Sequence, residues 1–237
     1  MSGNPATLTP LPPWRNCPMR KSSAISETFP VQPDGYATLI DRQRHEDFFT
    51  SEFPAQVAAD IIERTLSGAQ SHPNPSILHM LGIPGAGKST YVAALDHTDK
   101  ILVSFDKITE MIPAYQNDRK ELGALEAFAK WELPARMLGY HILHMAVGNR
   151  QDIIFDHGGS RDDHAAFLGA IKRELGYRIE IVHLDVDQVT SMRRVHVREQ
   201  DGGRHVPPAY IPERHDLIER LLPRYRDIAD SFITVTL

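Results

Sequence analysis

The sequence predicts an α/β fold in which a five-stranded, mainly parallel sheet is flanked by helices. Three observations carry that expectation. Strand-like and helix-like segments alternate from residue 77 to residue 237, as parallel sheets require. The run Gly82-Ile83-Pro84-Gly85-Ala86-Gly87-Lys88-Ser89-Thr90 fills the G-x-x-x-x-G-K-[ST] phosphate-loop pattern between an apolar strand and a helix-compatible segment, the context that marks a P-loop NTPase. Two further apolar strands lead directly into aspartates, Asp106 and Asp156, and ligands in such sheets sit at the strands' carboxyl ends.

The elements follow in order. Residues 1–35 hold 7 of the 17 prolines and few aliphatics, which reads as a flexible leader before a kinase-like domain at 36–237. Residues 50–66 read as a helix, with Ser51 as cap, Pro54 early, and Val57, Ile61, Ile62 and Leu66 at helical spacing. Residues 77–81 form the first strand and 88–95 the helix after the phosphate loop. Strands are expected at 101–105, 152–155, 178–186 and 232–237. Helices are expected at 121–147, kinked or divided at Pro134, and at 162–175, 189–199 and 212–228.

Composition bounds the function. With 237 residues, 41% of them hydrophobic, the chain can bury one substantial core. A net charge of −5 argues against a protein that coats nucleic acid. Cys17 is the only cysteine, so neither an intrachain disulfide nor a cysteine metal cluster can form, which suits a reducing compartment. No apolar run reaches 18 residues and no secretory signal is readable, so the expectation is a soluble, cytoplasmic protein with no membrane partner.

The phosphate loop assigns its own chemistry. Gly82, Gly85 and Gly87 let the backbone turn with positive φ, and the amides across Gly82, Pro84, Gly85, Ala86, Gly87, Lys88, Ser89 and Thr90 form the cofactor-binding segment. Lys88 reaches the β/γ-phosphates of ATP and the Ser89 hydroxyl ligates Mg²⁺. Asp106 stands where a hydroxyl acceptor needs a general base, although it could instead cap a helix starting near Lys107. Asp156 resembles the Walker B acid that holds the metal with Ser89. Asp156 to Gly159 also fits the D-x-x-G of GTPases, but no N-K-x-D segment follows.

Between residues 190 and 226 there are eight arginines, no lysine and five acids, a bias suited to bidentate phosphate clamping. The segment around 200–212 reads as a lid with Arg204 at its tip, and two or three of the eight arginines are expected to function; the rest pair on solvated helix faces. His141 and His144 read as packing or surface residues rather than half a metal site, and Phe128 and Trp131 as core.

Together the phosphate loop, Ser104-Phe105-Asp106, Asp156 and the distal Gly203-Arg204-His205-Val206-Pro207, with Pro212 to His215-Asp216, resemble the zeta toxin family of P-loop kinases over roughly residues 55 to 230. That resemblance implies ATP-dependent phosphorylation of a hydroxyl on a nucleotide sugar, typically UDP-N-acetylglucosamine, and an inhibitory antitoxin. By motif position it implies Lys88 on phosphate, Ser89 on metal, Asp106 as base, and Arg204 with Arg214 or Arg198 as charge stabilisers. Relatives with this core phosphorylate dinucleotides such as NAD. A nucleotide-hydrolysing switch without an acceptor and a polynucleotide 5′-hydroxyl kinase are the competing readings. The missing guanine motif and the arginine-bearing lid weigh against the first, and the scarcity of lid aromatics, only Tyr210 and Tyr225, against the second.

Overall fold

The strand that feeds the phosphate loop lies at the centre of the sheet. The computed structural model describes residues 53–200 and 206–237; the 1–35 segment, Ser51 and Arg204 lie outside them. In chain order the described residues form α1 (Ala55–Leu66), β1 (Ser76–Leu81), α2 (Lys88–Ala93), β2 (Ile101–Ser104), α3 (Phe105–Met111), α4 (Pro113–Glu121), α5 (Ala124–Gly148), β3 (Ile153–Asp156), α6 (Asp162–Leu175), β4 (Arg178–Asp185), α7 (Gln188–Gln200), α8 (Tyr210–Ile228) and β5 (Ser231–Thr236).

The strands run in the order β2-β3-β1-β4-β5 and every pairing is parallel, so the sheet is parallel throughout. From β1 the chain steps two places to β2, returns to β3 beside β1, and then crosses to β4 on the other side. That reversal opens a crevice at the carboxyl end of β1. Ile77, Met80 and Leu81 on β1 and Ile153, Ile154 and Phe155 on β3 are all buried, the near-continuous apolar reading of strands covered on both faces. Helices α1, α3 and α4 pack on α5, which lies against β2 and β3, while α8 packs on α6 and α7.

Several boundaries differ from the sequence reading. Strand β2 ends at Ser104, and Phe105 opens α3, so Asp106 sits in the first turn of a helix rather than just beyond a strand. The N-cap position of α3 is Ser104, so Asp106 is not the cap. Asp156 is the last residue of β3, in register with Met80 on β1 and Ser104 on β2. Pro54 precedes α1 instead of lying in its first turn.

The helix expected from Glu121 begins at Ala124, as α5, because Gly123 has a φ of 90° that no helix accommodates; residues 113–121 form a separate helix, α4, that the sequence reading did not anticipate. Helix α5 is not divided at Pro134. An interior proline costs about 3 kcal/mol, but Ala127, Trp131, Ala135, Leu138 and Ile142 bury side chains on both sides of it and hold the helix through the break.

Phe105 sets the distance between α3 and α5. Its ring packs on Tyr140 at 5.0 Å and on His157 at 5.4 Å between centroids. It also presses onto α5 at Gly139, where any Cβ would overlap the ring, so only glycine allows this approach. No helix among the described residues is long and apolar enough to cross a membrane.

Candidate active site

The phosphate loop has the backbone its motif requires. Gly82, Gly85 and Gly87 take φ of 151°, 80° and 95°, and Gly87 leads into α2 at Lys88. The Lys88 ammonium donates to the carbonyls of Gly82 at 2.7 Å and Ile83 at 3.0 Å, which holds it over the mouth of the loop. Helix α7 clamps the loop from the other side. Ser191, fully buried, donates from its hydroxyl to the Pro84 carbonyl at 2.5 Å, and Arg194 Nη1 reaches the Gly85 carbonyl at 3.4 Å.

Asp156 lies one strand away. Ser104 Oγ donates to its Oδ2 at 3.2 Å. Burial pushes the Asp156 carboxyl up; Lys88 opposes that, the Asp106 charge adds to it, and the Ser104 hydrogen bond counters it. The Asp156 carboxylate and the Ser89 hydroxyl at the head of α2 are hard oxygen donors lining one cavity, so they fit Mg²⁺. No group of three or more His, Cys, Asp or Glu among the described residues could hold a metal.

These groups converge on one cavity of about 550 Å³. Of the residues singled out in the sequence, Gly82, Pro84, Gly85, Gly87, Lys88, Ser89, Thr90, Asp106, Asp156, Arg198 and Arg214 line it. Ala86 does not: it is fully buried and its N–H donates back to the Ile83 carbonyl at 3.1 Å, so it shapes the loop from behind. Arg198 and Arg214, together with Arg194, make three lining arginines from the 190–226 stretch.

The remaining walls come from residues the sequence reading passed over. Leu125, Phe128, Ala129, Glu132 and Arg136 line the cavity at spacings of three and four, so a single face of α5 is presented to it. Phe128 packs, partly buried, against the core and also lines the cavity, whereas Trp131 is fully in the core, where its indole N–H donates to Asp118 at 2.5 Å. Glu132 and Arg136 are bonded to each other. Arg161, just before α6, is held by a two-pronged bond to Asp163 at 3.0 and 3.1 Å. The lining side chains thus carry six cations and three carboxylates.

His141 is buried and His144 partly so; burial lowers their pKa to about 3 and about 4, as packing residues. A second group of histidines, unremarked in the sequence, lies beneath the site: His79 of β1, His157 and His164 of α6. Their rings pack with Phe155, and His164 Nε2 lies 2.7 Å from the Tyr140 hydroxyl. Desolvation keeps all three neutral, lowering His79 and His164 to about 3 and His157 well below its usual value.

A parallel sheet with a phosphate loop on its central strand, acids on the neighbouring strand ends and arginines closing from α7 and α8 defines a P-loop phosphotransferase of the kinase class. The sequence model of the zeta toxin family matches residues 60–230, and the chain belongs to that family of ATP-dependent, toxin-like kinases. Among solved structures it is similar to the PezAT chromosomal toxin-antitoxin system of Streptococcus pneumoniae, with TM-score 0.60, 13% identity and 76% of each chain covered. It is also similar to the native AvrRxo1-ORF1:ORF2 complex, with TM-score 0.64, 15% identity, 88% of this chain and 70% of that one. The same complex with ATP aligns at TM-score 0.59 and 16% identity over 73% of this chain and 58% of that one. A search of curated proteins finds no significant sequence match.

Proposed function

We propose that this kinase transfers the γ-phosphoryl of ATP to a hydroxyl of an anionic, nucleotide-type metabolite, with UDP-N-acetylglucosamine the leading acceptor and NAD the alternative. The observation that carries this reading is the distribution of arginines. Arg194, Arg198 and Arg214 approach from α7 and α8 on the β4 side, whereas Arg136 and Arg161 approach from α5 and the loop after β3. A nucleoside triphosphate alone needs only the first group, and the further arginines Arg136 and Arg161 in the same cavity suit an acceptor that carries phosphate itself.

In this reading the loop amides and Lys88 hold the β- and γ-phosphates, and Ser89 with Asp156 would hold Mg²⁺, which when bound neutralises charge on the transferred group. Asp106 takes the acceptor hydroxyl's proton on its carboxylate. Arg198 and Arg214 complete the cationic lining over the phosphates and exclude water, and Arg204, which lies outside the described residues, is assigned charge stabilisation on its sequence motif alone. The toxin-antitoxin system among the structural relatives supports a toxin held in check by a partner protein.

The test is phosphorus NMR with Mg-ATP and, in separate tubes, UDP-N-acetylglucosamine and NAD, using wild type and Asp106→Asn. The expected result is a new phosphomonoester signal in one wild-type tube, lost in the variant while ATP binding persists. ATP hydrolysis indifferent to both compounds would overturn this acceptor class.

A further inference from the structure

Three consecutive carbonyls after β3 are taken by three different partners. The Gly158 carbonyl accepts from the N–H of Gly82 in the phosphate loop at 3.2 Å. The Gly159 carbonyl accepts from the Tyr225 hydroxyl at 2.9 Å, and the Ser160 carbonyl lies 3.5 Å from Arg214 Nη1. Tyr225 and Arg214 belong to the same helix, α8. The segment is therefore tied to the nucleotide loop at one residue and to the helix carrying a cavity arginine at the next two. Ser160 and the next residue, Arg161, both line the cavity.

Tyr225 is aimed. It is 0% exposed, and its ring stacks on His79 of β1 at 5.5 Å with 29° between planes, so the phenol has one direction in which to point. A buried tyrosine hydroxyl must find an acceptor, and here it takes a backbone carbonyl of the site rather than one of the core. The fit leaves room for nothing else. Gly159 has φ of 73°, and a Cβ on it would overlap the Leu81 side chain and sit 3.3 Å from the Tyr225 oxygen.

We propose that Tyr225 is a positioning residue: through Gly159 it anchors segment 157–161 so that movement of the phosphate loop at Gly82 is passed to Arg161 on the acceptor side. The inference rests on the acceptor reading above for its kinetic consequence but not for its structural one. Binding of nucleotide at Gly82 and Lys88 loads the Gly158 carbonyl. With Tyr225 holding the next residue, the segment turns as a unit and presents Arg161; without it, the segment yields.

The test uses Tyr225→Phe in the full chain, which keeps the ring stack on His79 and removes only the hydroxyl. In hydrogen exchange, Mg-AMP-PNP is expected to protect amides of residues 157–161 in wild type and to lose most of that effect in the variant. In kinetics with whichever acceptor the wild type uses, the acceptor KM is expected to rise about tenfold while the ATP KM stays within about twofold. Gly159→Ala should reproduce the kinetic loss. Unchanged nucleotide-induced protection in Tyr225→Phe overturns the proposal, as does an equal loss in both KM values, which would mark a merely structural role. A wild type that phosphorylates neither acceptor defeats the acceptor reading alone, because the exchange measurement still decides the role of Tyr225.

Discussion

The Ser191 hydroxyl of α7 sits 2.5 Å from the Pro84 carbonyl, so the helix that carries Arg194 and Arg198 is bonded to the loop that grips phosphate. Removing the hydroxyl takes this donor from the partly buried Pro84 carbonyl, a loss of about 0.5–1.5 kcal/mol. Ser191→Ala is expected to weaken Mg-AMP-PNP binding about tenfold, as 1.4 kcal/mol dictates, and to lower the melting temperature. Titration calorimetry and thermal unfolding of the same protein check both.

The two arginine groups should separate in kinetics. Arg136→Ala, on α5, is expected to raise the acceptor KM about tenfold or more with the ATP KM nearly unchanged; Arg194→Ala, which touches the loop at Gly85, should do the reverse. Steady-state rates with each substrate varied in turn distinguish them. Equal effects of both variants on both constants would mean that the cavity is not divided in this way.

The phosphate loop was legible residue by residue because each position has a backbone task that few residue types perform. Asp106 and Asp156 were legible because an acid closing an apolar run stands out, although only Asp156 ends a strand. Helix α4 was not, since Tyr115 is its only buried residue and no apolar period marks it. Arg136 was hidden because a Glu and an Arg four apart on a helix read as an ordinary solvated pair; only the cavity behind them says otherwise. Ser191 is a mid-helix serine with no local sign of its partner 107 residues earlier. The histidine group joins His79 to His157 and His164, which lie close to each other but far along the chain from His79, so no short window of sequence contains all three.

The buried histidines give the fold an acid limit. His79, His141 and His164 stay neutral when folded, with pKa about 3, but take up protons near 6.5 when unfolded. The unfolded chain therefore binds more protons between those values, and stability is complete above pH about 6.5 and falls as pH drops below it. Each neutral histidine costs about 1.4 kcal/mol per pH unit in that window. Denaturant unfolding from pH 7.5 to 5 should show a steep loss, and His141→Leu, away from the cavity, should lower the slope by one histidine's share. A slope unchanged by that variant would mean that His141 titrates in the folded protein.

Gly139→Val places a side chain where the Phe105 ring lies. Overpacking of this kind costs about 1–3 kcal/mol. Because Asp106 follows Phe105 directly, kcat is expected to fall more than nucleotide affinity. Unfolding curves and a nucleotide titration of the one variant compare the two effects.

Strand β3 separates the loop-bearing strand from the one that leads to Asp106. Neighbouring strands are spaced about 4.8 Å apart by their hydrogen bonds, so two such steps, about 10 Å, act as a ruler between the phosphate-loop strand and the strand that leads to Asp106, the base we propose. Asp156 stands at the middle mark. Side chains around the cavity can change which acceptor is admitted, but the reach from donor to acceptor is written in backbone pairing, which substitution at the rim leaves untouched.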